Sequence, residues 1–239
     1  MTLSFSISLT ASQLPLMNAV KYYLISNYLD IAHLKSRLPD DYEDMIINRI
    51  VLMYFKKARG KEDKPLRQLF IIQVKFIVEK FIPMLSDFCF VTKKFKDFQD
   101  WAFIASLIYT GKHTTEAGKE LIIKISKGMN NSRLSTFKGK DKIEEIPQKL
   151  IDEVISMKDV YVKRSDGLRV KASDGTLFSG QLFYILASGS NGENLVFKNS
   201  ELCVNYFGVT SATINNRIVK ELPIVNDRKI EFMLFRKPI

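Results

Sequence analysis

Residues 90–133 read FVTKKFKDFQDWAFIASLIYTGKHTTEAGKELIIKISKGMNNSR, and the parsing of that run decides the fold. Phe95, Phe98, Trp101, Ala102, Ala105 and Ile108 recur at steps of three and four. That spacing places them on one face of a helix from about Lys96 to Tyr109. Lys93, Lys94 and Lys96 crowd its start, where a helix already carries partial positive charge, so a nearby anion is expected. Gly111 interrupts the pattern, and Thr114, Thr115 and Glu116 supply a cap and a first-turn acid for a second helix. Leu121, Ile122 and Ile125 form its apolar side, and Gly128 fits a C-terminal stop.

Upstream, Leu3, Phe5, Ile7 and Leu9 alternate with Ser4, Ser6, Ser8 and Thr10, the period of a strand with one buried and one polar face. A helix follows, with Ser12 as its cap, Pro15 in its first turn and Leu16, Val20, Tyr23 and Leu24 on its apolar side. Ile47 to Phe55 reads as a strand and Leu66 to Val74 as its antiparallel partner. Between them Lys56, Lys57, Arg59 and Lys61 form a basic loop suited to phosphate contacts, with Arg67 just beyond it. The segment VKFIVEKFIPML, residues 74–85, continues as a helix ending near Pro83 to Asp87. Asp40, Asp41, Glu43 and Asp44 after Pro39 read as a solvated helix start rather than a catalytic carboxylate pair.

The run from Thr92 to Arg133 resembles the closing part of a LAGLIDADG homing-endonuclease domain of the fungal mitochondrial intron type. Lys93, Asp97-Phe98, His113, Thr115, Gly118, Gly128-Met129-Asn130 and Arg133 carry the resemblance in order and spacing. It extends over about Leu3 to Arg133 and is strongest after Val74. It implies an α+β chain, an incomplete αββαββα half-domain whose mixed sheet, with packed helices, lies in the major groove of double-stranded DNA. Lys93 and Lys94 become groups that face phosphate, and Ser4, Ser6 and Ser8 face the nucleic acid. In the family, acids at the ends of two central helices hold Mg²⁺, which activates water. Here no Gly-Asp-Gly or other acid-ended helix stands before Ser4. The resemblance therefore implies a fragment or degenerate copy, with Mg²⁺ bound only if a second LAGLIDADG half from a partner supplies the acids. Whether the chain is an enzyme stays open at this point, and no catalytic or metal-binding residue is assigned.

Composition shifts between Leu134 and Met157, where Lys138 to Lys142 form a polar linker and Gln148 to Met157 one short helix. The expected organisation is a nucleic-acid-binding domain over 1–134, a linker with a short helix over 135–158, and a small module over 159–239. The module opens with strands at Val160 to Lys163, Leu168 to Ala172 and Thr176 to Phe183. The Asp166-Gly167 and Asp174-Gly175 turns between them are expected to put both central residues at positive φ. Residues 197–220, FKNSELCVNYFGVTSATINNRIVK, then have helix-turn-helix spacing. Ser200 caps the first helix, and Leu202, Cys203 and Phe207 face inward. Gly208 turns the chain, and Ile214 and Ile218 bury the second helix. Thr210, Ser211, Thr213, Asn215, Asn216 and Arg217 are its candidates for base edges, with Lys220 on phosphate. This segment is similar to the nuclease-associated modular DNA-binding motif appended to homing endonucleases.

A net charge of +10 on 239 residues, with 46% hydrophobic residues, favours a folded protein with a polyanionic partner. Two cysteines, Cys89 and Cys203, without neighbouring Cys or His at ligand spacing, read as small buried hydrophobes rather than a disulfide or zinc site. Lys75, Glu79 and Lys80 interrupt the most apolar region, Leu69 to Leu85, so no membrane partner is expected. The opening MTLSFSISLT has neither signal-peptide nor transit-peptide character. Together with abundant Ile, Lys, Phe, Tyr and Asn, this gives the expectation of an organelle-encoded, mitochondrial protein. Structured or ribosomal RNA is the alternative partner, through an intron maturase or an organellar ribosome-associated protein.

Overall fold

The computed structural model describes residues 3–28, 51–56, 65–88, 94–133, 138, 145–164, 168–178, 184–188, 194–197, 200–220 and 229–233. Two compact units divide the chain, Met1–Gln73 with Lys163–Ile239, and Val74–Val162. The α+β expectation holds. Both three-stranded sheets are antiparallel, where a mixed sheet was expected.

Phe5–Thr10 (β1), Leu14–Tyr28 (α1), Val51–Lys56 (β2) and Leu66–Ile71 (β3) form the N-terminal layer pair. The sheet order is β1-β3-β2, so β3 is the central strand. Leu3, Leu69 and Ile71 are buried on one face, and from α1 Met17 and Leu24 are buried. Leu16 and Tyr23, expected inward, are 54% and 51% exposed. The buried stripe runs instead through Met17 and Leu24, seven residues apart and so two turns along one side. Ser12 lies inside a 3₁₀ turn, Ala11–Gln13, and does not cap the helix. Its hydroxyl meets Thr10 Oγ1 at 3.0 Å. β3 stops at Ile71, and Val74 already belongs to the next helix.

That helix, α2, has three parts: Val74–Phe76, a π-helical Ile77–Phe81, and Ile82–Ser86. In a regular helix the Pro83 ring would strike the carbonyl four residues back, at Glu79. The wider turn, in which Ile82 N–H donates to Ile77 O five residues back, lets the helix pass through Pro83. Lys94–Tyr109 (α3) and Glu116–Lys127 (α4) follow. α3 begins two residues earlier than expected, and Phe95 is 39% exposed. The core of this unit gathers Phe76, Ile77 and Phe81 from α2, Ile104, Ala105, Leu107 and Ile108 from α3, and Leu121, Ile122 and Ile125 from α4.

At the hinge between α3 and α4, Gly111 has a φ of 80°, and a Cβ there would lie 2.1 Å from the Tyr161 ring. Glycine is required on both counts. Thr115 Oγ1 accepts Gly118 N–H at 3.1 Å and donates to Lys112 O at 2.8 Å, which caps α4 as expected. Gly128 sits at the C-cap with a φ of −86°. The left-handed residue is Asn130, with a φ of 55°, a conformation asparagine tolerates. Gln148–Ser156 (α5) packs on α4, and the chain after it is fastened to the hinge. Val160 N–H and Tyr161 N–H both donate to Thr110 O at 2.9 Å. Lys112 Nζ reaches Ile155 O at 2.9 Å and Asp159 at 3.5 Å.

Tyr161–Lys163 (β4), Arg169–Lys171 (β5), Tyr184–Ser188 (β6), Asn194–Phe197 (β7), Ser200–Phe207 (α6), Ser211–Lys220 (α7) and Lys229–Met233 (β8) complete the chain. β6 is central in the order β7-β6-β8. The Asp174-Gly175 hairpin is present: Lys171 N–H donates to Thr176 O and Gly175 N–H to Lys171 O. Only Gly175 of the pair has positive φ, so the turn is a longer one with a single left-handed residue. Asp166-Gly167 lies outside the described residues. Leu168, Ile185, Ala187, Phe197, Cys203, Ile214 and Ile218 form one core, in which burial pushes the Cys203 thiol up to about 11. Leu202, expected inward, is 46% exposed. Cys89 lies outside the described residues.

A Cβ on Gly118 would sit 2.0 Å from Lys112 O, inside the capping turn. Alanine normally improves a helix interior over glycine by about 0.8–1 kcal/mol. Gly118→Ala is expected to lose about 1–3 kcal/mol instead, read as a lower urea midpoint. Gly128→Ala, whose Cβ would meet only Ile125 O at 3.5 Å, is expected to stay within about 0.5 kcal/mol of the parent.

Candidate nucleic-acid interface

Strand parity sorts the N-terminal candidates. Ser6 pairs with Phe70, Ser8 with Gln68 and Thr10 with Leu66, so these residues share one face of the sheet. Ser4, Ser6 and Ser8 are exposed. Gln68 Nε2 donates to Ser8 Oγ at 3.0 Å, which adds a hydrogen-bonding side chain to the row. Periodicity within β1 could not show Gln68; the register with β3 was needed. The same register puts Arg67 opposite Leu9 and Phe55, on the face of Leu69 and Ile71, away from the serines. Lys56 ends β2 in register with Leu66. Lys57, Arg59 and Lys61 lie outside the described residues.

The second group sits at the start of α3. Lys93 lies outside the described residues. Lys94, expected on phosphate, has its ammonium 3.3 Å from Asp97 Oδ2. Asp97 is buried, and its Oδ1 accepts the backbone N–H of Asn130 at 2.9 Å. The anion that the lysine-rich helix start called for is therefore this internal carboxylate, at the N-terminal end where helix charge favours it. Arg133 closes the 3₁₀ turn Asn130–Arg133 that follows. Four of the residues carrying the resemblance thus do structural work in this unit. Asp97 and Asn130 join the far ends of two helices, and Thr115 and Gly118 shape the start of one.

The third group lies on α7. Thr210 Oγ1 accepts Thr213 N–H at 3.1 Å and lies 2.9 Å from Thr213 Oγ1, so these two residues cap the helix. Gly208, with a φ of 64° and open space around it, lets the chain turn from α6. With Ile214 and Ile218 at 0% and 1% exposure, the other side of the helix is presented outward. Ser211, Ala212, Asn215 and Asn216 are exposed and Arg217 is half-buried. Lys220 is the last residue of the helix. Ala212 was passed over in the sequence, because its type carries no hydrogen-bonding signal.

Among the described residues no three His, Cys, Asp or Glu side chains gather closely enough to hold a metal ion. No described helix is long and apolar enough to cross a membrane. No protein-family model matches the chain, and no curated protein does. Solved homing endonucleases resemble it. The meganuclease I-SmaMI bound to uncleaveable DNA with a TTGT central four is 23% identical over 55% of this chain and 35% of its own, with a TM-score of 0.41. The I-LtrWI LAGLIDADG homing endonuclease bound to target DNA is 18% identical over 55% and 34%, at 0.37. The LAGLIDADG meganuclease I-AabMI bound to uncleaved DNA is 18% identical over 87% and 64%, at 0.38. The chain spans about a third of the length of the first two.

Removing the Asp97 carboxylate leaves the Asn130 N–H without its acceptor. Asp97→Ala is expected to lower stability by about 1.5–3 kcal/mol, the range for a hydrogen bond to a charged group. Lys94→Ala is expected to lose less than about 1 kcal/mol, since the Lys94 end of the pair is 68% exposed. Equal urea midpoints for the two variants would show that Asp97 does not join the helices.

Proposed function

We propose that this chain is a LAGLIDADG homing-endonuclease-like protein that holds duplex DNA without cutting it on its own. The observation that carries the reading is the outward side of α7, a polar row on a helix whose back is fully buried, in a chain of net charge +10. A short helix, a glycine turn and a second helix with exposed polar residues make a helix-turn-helix, whose second helix enters the major groove. The row Ser4, Ser6, Ser8 and Gln68 offers a second hydrogen-bonding surface on a sheet. The resemblance through residues 92–133 supports the nuclease-like part.

In this reading Ser211, Asn215 and Asn216 meet base edges, while Arg217, Lys220, Arg133 and the basic segment Lys56 to Lys61 meet phosphate. Lys93 and Lys94 contribute charge at the same backbone. Thr210 and Thr213 hold the helix start in place, and Arg67 supports the sheet from its buried side. Cleavage would need a second LAGLIDADG half, whose acids complete a site for Mg²⁺. That metal supplies a water activated for attack on the phosphodiester. The chain's place is a mitochondrion, with the protein encoded there within an intron.

Titration of labelled duplexes at several salt concentrations tests the reading. Specific or non-specific, affinity is expected to fall steeply with salt. Arg217→Ala should weaken binding evenly across sequences and lower the salt slope by about 1. With Mg²⁺ added, the chain alone should leave the duplex intact; double-strand cutting would overturn the non-cleaving part. Tighter binding to structured RNA than to duplex at equal salt would replace the whole reading with that of a maturase or an organellar ribosome-associated protein.

A further inference from the structure

The outward row of α7 carries more than a capacity for DNA. Successive residues of a helix turn by about 100°, and Ile214 and Ile218 fix the inner side. Asn216 then stands opposite that seam, with Ala212 one turn before it and Asn215 beside it. Arg217 falls on the other flank and, half-buried, cannot occupy the centre of the row, while the Lys220 position follows one turn beyond Asn216 at the end of the helix. The centre therefore consists of two carboxamides and a methyl group, all exposed.

Those groups have a specific match in the major groove. A carboxamide offers one acceptor and one donor side by side, complementary to the donor N6 and acceptor N7 of adenine. Guanine presents two acceptors, N7 and O6, so the carboxamide oxygen would face an acceptor there. A methyl group packs on the C5-methyl of thymine. The guanine reader among side chains is a central arginine or lysine, and the turn from Ala212 to Asn216 has none. Resting on the reading above, we infer that α7 selects A·T base pairs, with Asn216 and Asn215 on adenine and Ala212 on a thymine methyl. One helical turn, about 5.4 Å, covers between one and two base steps of about 3.4 Å. The contacts thus fall within a run of about three base pairs. A-form RNA does not offer this match, since its deep, narrow major groove does not admit the helix.

The test selects duplexes with a randomised core on the full chain, then measures affinities of single duplexes. A run of about three A·T pairs should be enriched. Replacing the central pair by G·C should weaken binding about 5- to 150-fold, the span of one bidentate contact. 7-Deazaadenine at that position, which removes N7 alone, should weaken it in the same direction. Asn216→Ala should bind both duplexes alike and keep the parental salt slope, because its position lies off the phosphate flank and off the core. Enrichment of G·C pairs, or an A·T preference that survives in Asn215→Ala with Asn216→Ala, overturns the inference. Salt-dependent binding with no sequence preference overturns it too, while leaving the DNA-binding reading standing. No binding to any duplex overturns both.

Discussion

The Asp97 carboxylate is the constraint on which the Val74–Val162 unit depends. A buried acid needs hydrogen bonds to its charge, and Asp97 receives the Asn130 N–H and the Lys94 ammonium. Asp97 lies in the first turn of α3 and Asn130 just past α4, so one bond joins the open ends of a helix pair. The other ends are joined by the chain itself through Gly111. Between the two closures, Ile104, Ile108, Leu121, Ile122 and Ile125 are buried. Asn130 supplies its N–H from a left-handed conformation, which brings that donor back towards α3.

The hinge end is held by a different arrangement. Thr110 O takes two backbone donors from the segment after α5, and Lys112 is fixed between Ile155 O and Asp159. Its side chain is only 11% exposed, so the ammonium exchanges water for these oxygens. The bare Gly111 lies against the Tyr161 ring. The stretch from α5 to Val160 is therefore packed on the helix pair, although its composition reads as polar connection. Charge and loop-like composition describe what a segment shows to water; they do not report backbone donors such as Val160 N–H.

Much of this was legible because it rests on periodicity or on a residue with one conformational use. The alternation from Leu3 to Thr10, the three- and four-residue steps of α3, the Thr115 cap and the Gly111 break all have local causes. What was missed has non-local causes. The buried stripe of α1 passes through Met17 because β3 lies beneath it, and helical spacing alone allowed a stripe through Leu16. Arg67 read as a nucleic-acid contact beside the basic loop, and its register with Leu9 puts it on the face of Leu69 and Ile71. β6 is buried at Ile185, Leu186 and Ala187 in succession, the pattern of a central strand, which erases the alternation that marks a strand with one wet face. Asn191-Gly192, between the apolar runs of β6 and β7, was the sequence signal that could have found this hairpin.

Four of the residues that made the chain look familiar are engaged within the fold. Asp97, Thr115, Gly118 and Asn130 satisfy backbone groups or leave room for them, and a substitution at any of these positions is felt through packing and capping. Ser6, Ser8, Asn215 and Asn216 stand differently, exposed to solvent on strand and helix backbone, and in the proposed reading recognition falls to them. Packing asks little of the polar group at an exposed position, which leaves its choice open to a partner's chemistry. A likeness in the first set therefore reports how the chain is built. What it binds has to be argued from the donors, acceptors and methyl groups of the second set.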